Sequence, residues 1–177
     1  MNQSLKVRRL VEAAMIAAIY TVLTYAAAAL NLAYQGVQFR FSEALTILPV
    51  FTPSAIPGLA IGCFLSNLGS PMGIIDWISG TSATLLAAVL TRLLRNLTVK
   101  GLPVLAPFPP VLTNAVIVGC VIAVTDPAGF SVPLFAAMAL SVGLGELAVC
   151  YGLGLPLIAV LKKTGVSKRI FLESQES

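Results

Sequence analysis

The chain has 177 residues, of which 58% are hydrophobic and only 10% charged. A water-soluble domain carries about 25% charged residues because its surface faces water, so this composition excludes an ordinary soluble fold. The formal net charge of +4 does not indicate nucleic-acid binding, because the basic residues sit between apolar runs instead of spreading over a polar face.

The first apolar run covers residues 10–30, after Lys6, Arg8 and Arg9. It exceeds the about 7–15 apolar residues of a signal peptide and matches the about 20 needed to span a bilayer. It carries two small-residue pairs at four-residue spacing, Ala13/Ala17 and Ala14/Ala18, which let another helix approach closely. The loop 31–40 follows, with Tyr34, Gln35 and Gly36 as residues able to close over a ligand.

Residues 41–51 and 53–68 form the next two runs, interrupted by Pro49, Pro53 and Pro57. Proline removes a backbone donor and clashes with the preceding turn; Thr52 and Ser54 beside Pro53 suit a tight turn. Two short helices are therefore expected here. The run 41–51 would rise only about 15 Å as an α-helix, short of a hydrocarbon core of about 30 Å, so neighbours must shield it or the bilayer must thin. The remaining runs are 74–94, 107–125 and 133–161.

Six helices place both termini in the cytoplasm and put ten of the eleven Lys and Arg on that side, as the positive-inside rule asks. Only Arg40 falls outside. The expected fold is an all-α membrane protein of six transmembrane helices, one domain over residues 1–177, in a prokaryotic plasma membrane.

Polar residues inside apolar runs are functional candidates, because charge in hydrocarbon is costly. Arg40 and Glu43 open the second helix, Asn67 ends the third, Asp76 and Trp77 open the fourth, Asn114 sits within the fifth, and Glu146 lies deep in the sixth. On this topology they converge toward the outer side as a polar pocket, with Phe39 and Trp77 offering aromatic faces. Arg40 and Glu43 could pair along one helix face, Asp76 could serve a helix N-terminus, and Asn114 could join helices. Glu146 has no basic residue in its helix before Lys162, which favours a functional role.

Cys63, Cys120 and Cys150 each lie in an apolar run and read as buried thiols. Histidine is absent, and no GxxxxGK[ST], HExxH or GxSxG motif occurs. No catalytic residue, metal or cofactor is assigned. Uphill transport would need energy from a partner or an ion gradient.

The stretches VQFRFSEALTILPVFTPSAIPGLAIGCFLSN, residues 37–67, and GSPMGIIDWISGTSATLLAAVLT, residues 69–91, resemble the QueT family. These are the substrate-binding membrane subunits, or S-components, of energy-coupling factor (ECF) transporters for queuosine precursors. The resemblance implies binding of a 7-deazaguanine base, such as preQ1 or queuine, from outside. It implies docking on a transmembrane coupling subunit and two ATPases, with Ala13, Ala14, Ala17 and Ala18 as the docking face. The rival readings are an S-component for another vitamin, such as riboflavin or biotin, an intramembrane enzyme using Glu43, Asp76 and Glu146, and a scaffold.

Overall fold

The computed structural model describes residues 3–33 and 39–171. Tyr34, Gln35 and Gly36 of the expected gate lie outside the described residues. Those described form an all-helical bundle.

Helix α1 (Gln3–Ala29) is rich in alanine and free of glycine and proline, so nothing interrupts it over about 40 Å. Asn31 then takes a left-handed conformation, φ 59°, and turns the chain. Ala13, Ile16, Ala17, Tyr20, Thr24 and Ala27 form a buried stripe at helical spacing. Leu10, Met15 and Val22 on the opposite side are exposed.

Residues Phe41–Val50 form a 3-10 helix and not an α-helix. A rise of about 2.0 Å per residue stretches its ten residues to about 20 Å, which eases the length deficit expected of this run. The helix is also enclosed: it packs against α1, against α2 (Ala55–Asn67) and α3 (Ile74–Leu93), and against the π-helical turn Cys150–Gly154. The neighbours supply the expected shielding, while about 20 Å remains short of a hydrocarbon core of about 30 Å. Thr52, Pro53 and Ser54 make the turn into α2, with Ser54 N–H donating to Thr52 Oγ1 at 3.3 Å.

Helices α1 and α2 approach closely because small residues face each other. A Cβ on Gly58 would stand 2.7 Å from the Ala13 carbonyl oxygen, and one on Gly62 would stand 2.9 Å from that of Ala17. The alanine pair 13/17 thus interlocks with a glycine pair of the same spacing.

After α3 the chain reaches α4 (Phe108–Thr125), opened by prolines that its first turn accepts. Helix α5 (Val132–Val149) is capped by Ser131, whose side chain accepts from Leu134 N–H at 3.3 Å. The π turn Cys150–Gly154 links α5 to α6 (Leu155–Lys163), making one continuous helical run of 32 residues. Pro156 cannot donate a helical hydrogen bond to residue 152, and the widened turn sits directly before it. A short α7 (Val166–Ile170) follows, and the Phe171 ring stacks on Phe51 with centroids 5.7 Å apart.

Among the described residues, four helical runs are long and apolar enough to cross a membrane: Gln3–Ala29, Ile74–Asn96, Phe108–Thr125 and Val132–Lys163. Phe41–Val50 and Ala55–Asn67 are shorter apolar helices. Large apolar side chains such as Leu10, Ile61, Ile78, Leu86, Val116 and Leu144 point outward, while Arg40, Glu43, Asp76 and Glu146 are buried. This inversion of the usual soluble pattern fits a hydrocarbon surround.

Candidate functional site

Several of the buried polar residues gather in one cluster, to which α1, the 3-10 helix, α2, α3, α4 and α5 contribute. It has two halves. The first is built on Arg40, the residue that leads into the 3-10 helix. Its Nε donates to the Ala33 carbonyl at 3.0 Å, and Nη1 donates to Asn67 Oδ1 at 3.2 Å. Its Nη2 stands 3.7 Å from Asp76 Oδ2. Asn67 Nδ2 donates in turn to the Asp76 carbonyl at 3.1 Å and to Cys63 Sγ at 3.4 Å. Gly80 makes room for this: a Cβ there would fall 2.5 Å from Asn67 Nδ2. Arg40 therefore reaches across to α2 and α3.

The second half is acidic. Glu43 is 2% exposed; its Oε1 accepts a hydrogen bond from the hydroxyl of Tyr20 on α1. Its Oε2 is buried without a hydrogen-bond partner. Glu146 on α5 accepts from Asn114 Nδ2 of α4 at 2.9 Å through Oε1, and from Cys150 Sγ at 3.5 Å through Oε2. Asn114 also lies near the Glu43 carboxylate. Cys150 ties the π turn to the 3-10 helix, its thiol lying 3.6 Å from the Glu43 carbonyl and 3.8 Å from Thr46 Oγ1.

The charges do not balance. Arg40 is the cation of the cluster, against Glu43, Asp76 and Glu146. Arg40 stands nearest Asp76 and also attracts Glu43 and Glu146, so one cation serves three buried acids. An uncompensated buried charge is strongly destabilising. Protons or a cationic ligand must make up the difference.

The structure thus brings together Arg40, Glu43, Asn67, Asp76, Asn114 and Glu146. Trp77 stands at the edge, its ring edge-on to Phe64 at 6.5 Å, with Nε1 buried and unpartnered. Thr81 Oγ1, one turn further along α3, is likewise buried without a partner. Phe39 is exposed and joins the loop through its backbone N–H, which donates to Leu32 O at 2.9 Å. Sequence reasoning missed Tyr20, and it took Cys63 and Cys150 for plain apolar thiols. Both thiols take part in the polar network, Cys63 accepting also from Thr84 Oγ1 at 3.2 Å. The signal was their spacing: Cys63 is four residues from Asn67, and Cys150 four from Glu146, which puts each on the same helical face. Tyr20 continues the alanine stripe by three residues.

The four alanines of α1 divide. Ala13 and Ala17 are buried against α2, while Ala14 and Ala18 are exposed. Ala13 and Ala17 are therefore corrected from a docking face to internal packing: α2 already occupies the close approach that they permit.

Tyr20→Phe removes the donor to Glu43 Oε1 and leaves that buried carboxylate short of a hydrogen bond. The expected loss is about 1–3 kcal/mol of folded stability, read as a lower melting temperature of the ligand-free protein in detergent. An unchanged melting temperature shows that Glu43 does not depend on Tyr20.

A curated relative, the queuosine precursor transporter QueT of Lactococcus lactis subsp. cremoris (strain MG1363), is 36% identical over 76 residues. The match covers 43% of this chain and 44% of that protein, less than half the length of either. No solved structure matches the chain significantly. The family model described as QueT transporter matches residues 10–163, from the first turns of α1 to the end of α6. That span takes in the whole polar cluster, and the chain belongs to the QueT transporter family.

Proposed function

We propose that the chain is the substrate-binding membrane subunit of an energy-coupling factor importer and takes up a queuosine precursor, a 7-deazaguanine base. The observation that carries this reading is Glu43 Oε2, a buried acceptor left open inside a cluster of donors and acceptors. A guanine-like edge presents adjacent N–H donors that a carboxylate accepts in bidentate fashion. Arg40, Asn114 and Trp77 offer N–H groups for the ring oxygen. The surroundings are apolar with few polar groups, as small-molecule sites are. The name of the relative and the family agree with this substrate class. In this reading the energy for uptake comes from partner ATPases, in keeping with a sequence that carries no phosphate-binding loop.

In this reading the helices form six spans of the cell membrane, with both termini cytoplasmic and the site reached from outside. Isothermal titration of 7-deazaguanine bases into the purified chain tests the substrate class, together with mass spectrometry of any retained ligand. Saturable binding is the expected result; failure of every such base to bind overturns the reading. For the topology, a cysteine at Ser131, before α5, labels from outside with a membrane-impermeant maleimide. One at Lys168, in α7, labels only after permeabilisation. The reverse pattern rejects six spans with cytoplasmic ends.

A further inference from the structure

We infer that a groove between α1 and α7 holds one acyl chain of an anionic phospholipid, with the lipid phosphate at Arg8. The inference needs only a membrane surround and does not depend on the substrate proposed above. The groove has a volume of about 340 Å³. Val7, Val11, Met15 and Ile19 recur at four-residue spacing on α1 and form one wall. Gly165 turns the chain in a left-handed conformation, φ 68°, and α7 brings Ile170 and Phe171 round as the other wall. The stack of Phe171 on Phe51 ties this wall to the end of the 3-10 helix, and the buried Leu48 lies at the bottom.

Two observations select the occupant. The first is length. Arg8 and Ile19, both lining the groove, are separated by about 17 Å along the helix axis. One leaflet of a hydrocarbon core about 30 Å thick is about 15 Å deep, so the groove matches the reach of an acyl chain from headgroup to midplane. The second is charge at one end. Among the described residues, no charged side chain lines the groove beyond Glu12. Glu12 itself is buried, and its Oε2 accepts from Thr52 Oγ1 at 2.9 Å, at the turn into α2. Lys6 and Arg9 flank the Arg8 end of α1, and Lys168 and Arg169 lead directly into Ile170. Basic side chains near the end of a spanning helix reach for the interface, and a guanidinium pairs with phosphate through two parallel N–H bonds. An extended peptide in the same groove would need partners for its own backbone N–H and C=O groups. The apolar side chains beyond Glu12 offer none, and an acyl chain needs none.

Native mass spectrometry of the purified chain in detergent, titrated with dioleoyl phosphatidylglycerol or dioleoyl phosphatidylcholine, tests this. The two lipids share their chains and differ in headgroup charge. The anionic lipid is expected to bind about fivefold more tightly or better, the attraction of one nearby cation. Arg8→Gln should cut that preference below about twofold, and Arg8→Lys should keep most of it. Lys100→Gln, at an exposed turn that does not line the groove, should leave it unchanged. Val11→Trp fills the groove and should weaken both lipids. Arg8 and Val11 are exposed, so these substitutions leave the core intact. Dihexanoyl phosphatidylglycerol, with the same headgroup on short chains, should bind at least about tenfold more weakly than the dioleoyl lipid. Equal binding of the two dioleoyl lipids overturns the inference, as does a preference that survives Arg8→Gln. A preference lowered as much by Lys100→Gln assigns the attraction to the whole basic surface and also overturns it. If the dihexanoyl lipid binds as tightly as the dioleoyl one, the site takes a phosphate and no chain, and the inference fails. The comparisons between lipids on the wild type decide even where a variant does not fold.

Discussion

Glu146→Gln is expected to weaken binding of a 7-aminomethyl-7-deazaguanine by about 2–5 kcal/mol, as when one partner of a desolvated charge pair is removed. Glu146 is 4% exposed, in the middle of the longest helical run. Its two oxygens accept from Asn114 and Cys150, so glutamine keeps the shape but not the accepting capacity. Oriented with its oxygen toward Asn114, the amide turns its NH2 toward Cys150 and the remaining acid. Turned the other way, it sets two NH2 groups against each other. Either way the charge that would hold a cation has gone. Folding should suffer little. The ligand-free wild type holds two acids near one amide, and removing a charge relieves their mutual cost. The melting temperature of the ligand-free variant is expected to stay equal or rise, while titration calorimetry records the loss of affinity. Unchanged affinity in a folded variant would move the ligand contact to Glu43 and Asp76.

The site was legible in the sequence to the extent that its residues are rare letters in apolar runs. Arg40, Glu43, Asn67, Asp76, Asn114 and Glu146 stand out because hydrocarbon tolerates so few of them, and the structure gathers all six. Tyr20 and Cys150 did not stand out, because phenol and thiol belong in apolar cores as readily as in polar networks. Only their contacts show which role they take. Phe39 was included for its aromatic face, but its ring is exposed. Placing it needed the path of the loop, which aromatic character does not specify.

The helices themselves follow from apolar runs and prolines, and their observed limits lie within a few residues of those runs at most ends. α1 is the exception, starting at Gln3 because its polar first turns carry no helix breaker. The conformation of Phe41–Val50 did not follow. A 3-10 helix and an α-helix share the same composition, and a fully enclosed segment has no amphipathic period to distinguish them. The π turn was similarly hidden, although Pro156 marks its place.

Gly62→Leu and Ala18→Trp are expected to fail in different ways, because they lie on opposite faces of the helix pair. At Gly62 the first carbon of any side chain would meet the Ala17 carbonyl oxygen at 2.9 Å, the Tyr20 Cβ at 2.9 Å and the Ala17 Cα at 3.1 Å. Two of these are backbone atoms and cannot rotate away. Thr21 Oγ1 also donates to the Gly62 carbonyl at 3.2 Å, a bond that holds the helices at this distance. Leucine must therefore push α1 and α2 apart, at a cost of about 3 kcal/mol, the upper part of the range for overpacking. The movement also draws Tyr20 away from Glu43, so ligand affinity should fall with the melting temperature. Ala18 is exposed on the other side of α1, and tryptophan there disturbs neither α2 nor the cluster. In the proposed importer its bulk holds off the coupling subunit: the purified chain melts and binds as the wild type does, while uptake by cells carrying the complete importer is lost. Melting curves, titration of the isolated chain and cellular uptake separate the two variants. If Gly62→Leu melts like the wild type, the close approach of α1 and α2 is not what holds them together. If Ala18→Trp takes up substrate normally, the exposed alanine face of α1 is not where a partner docks.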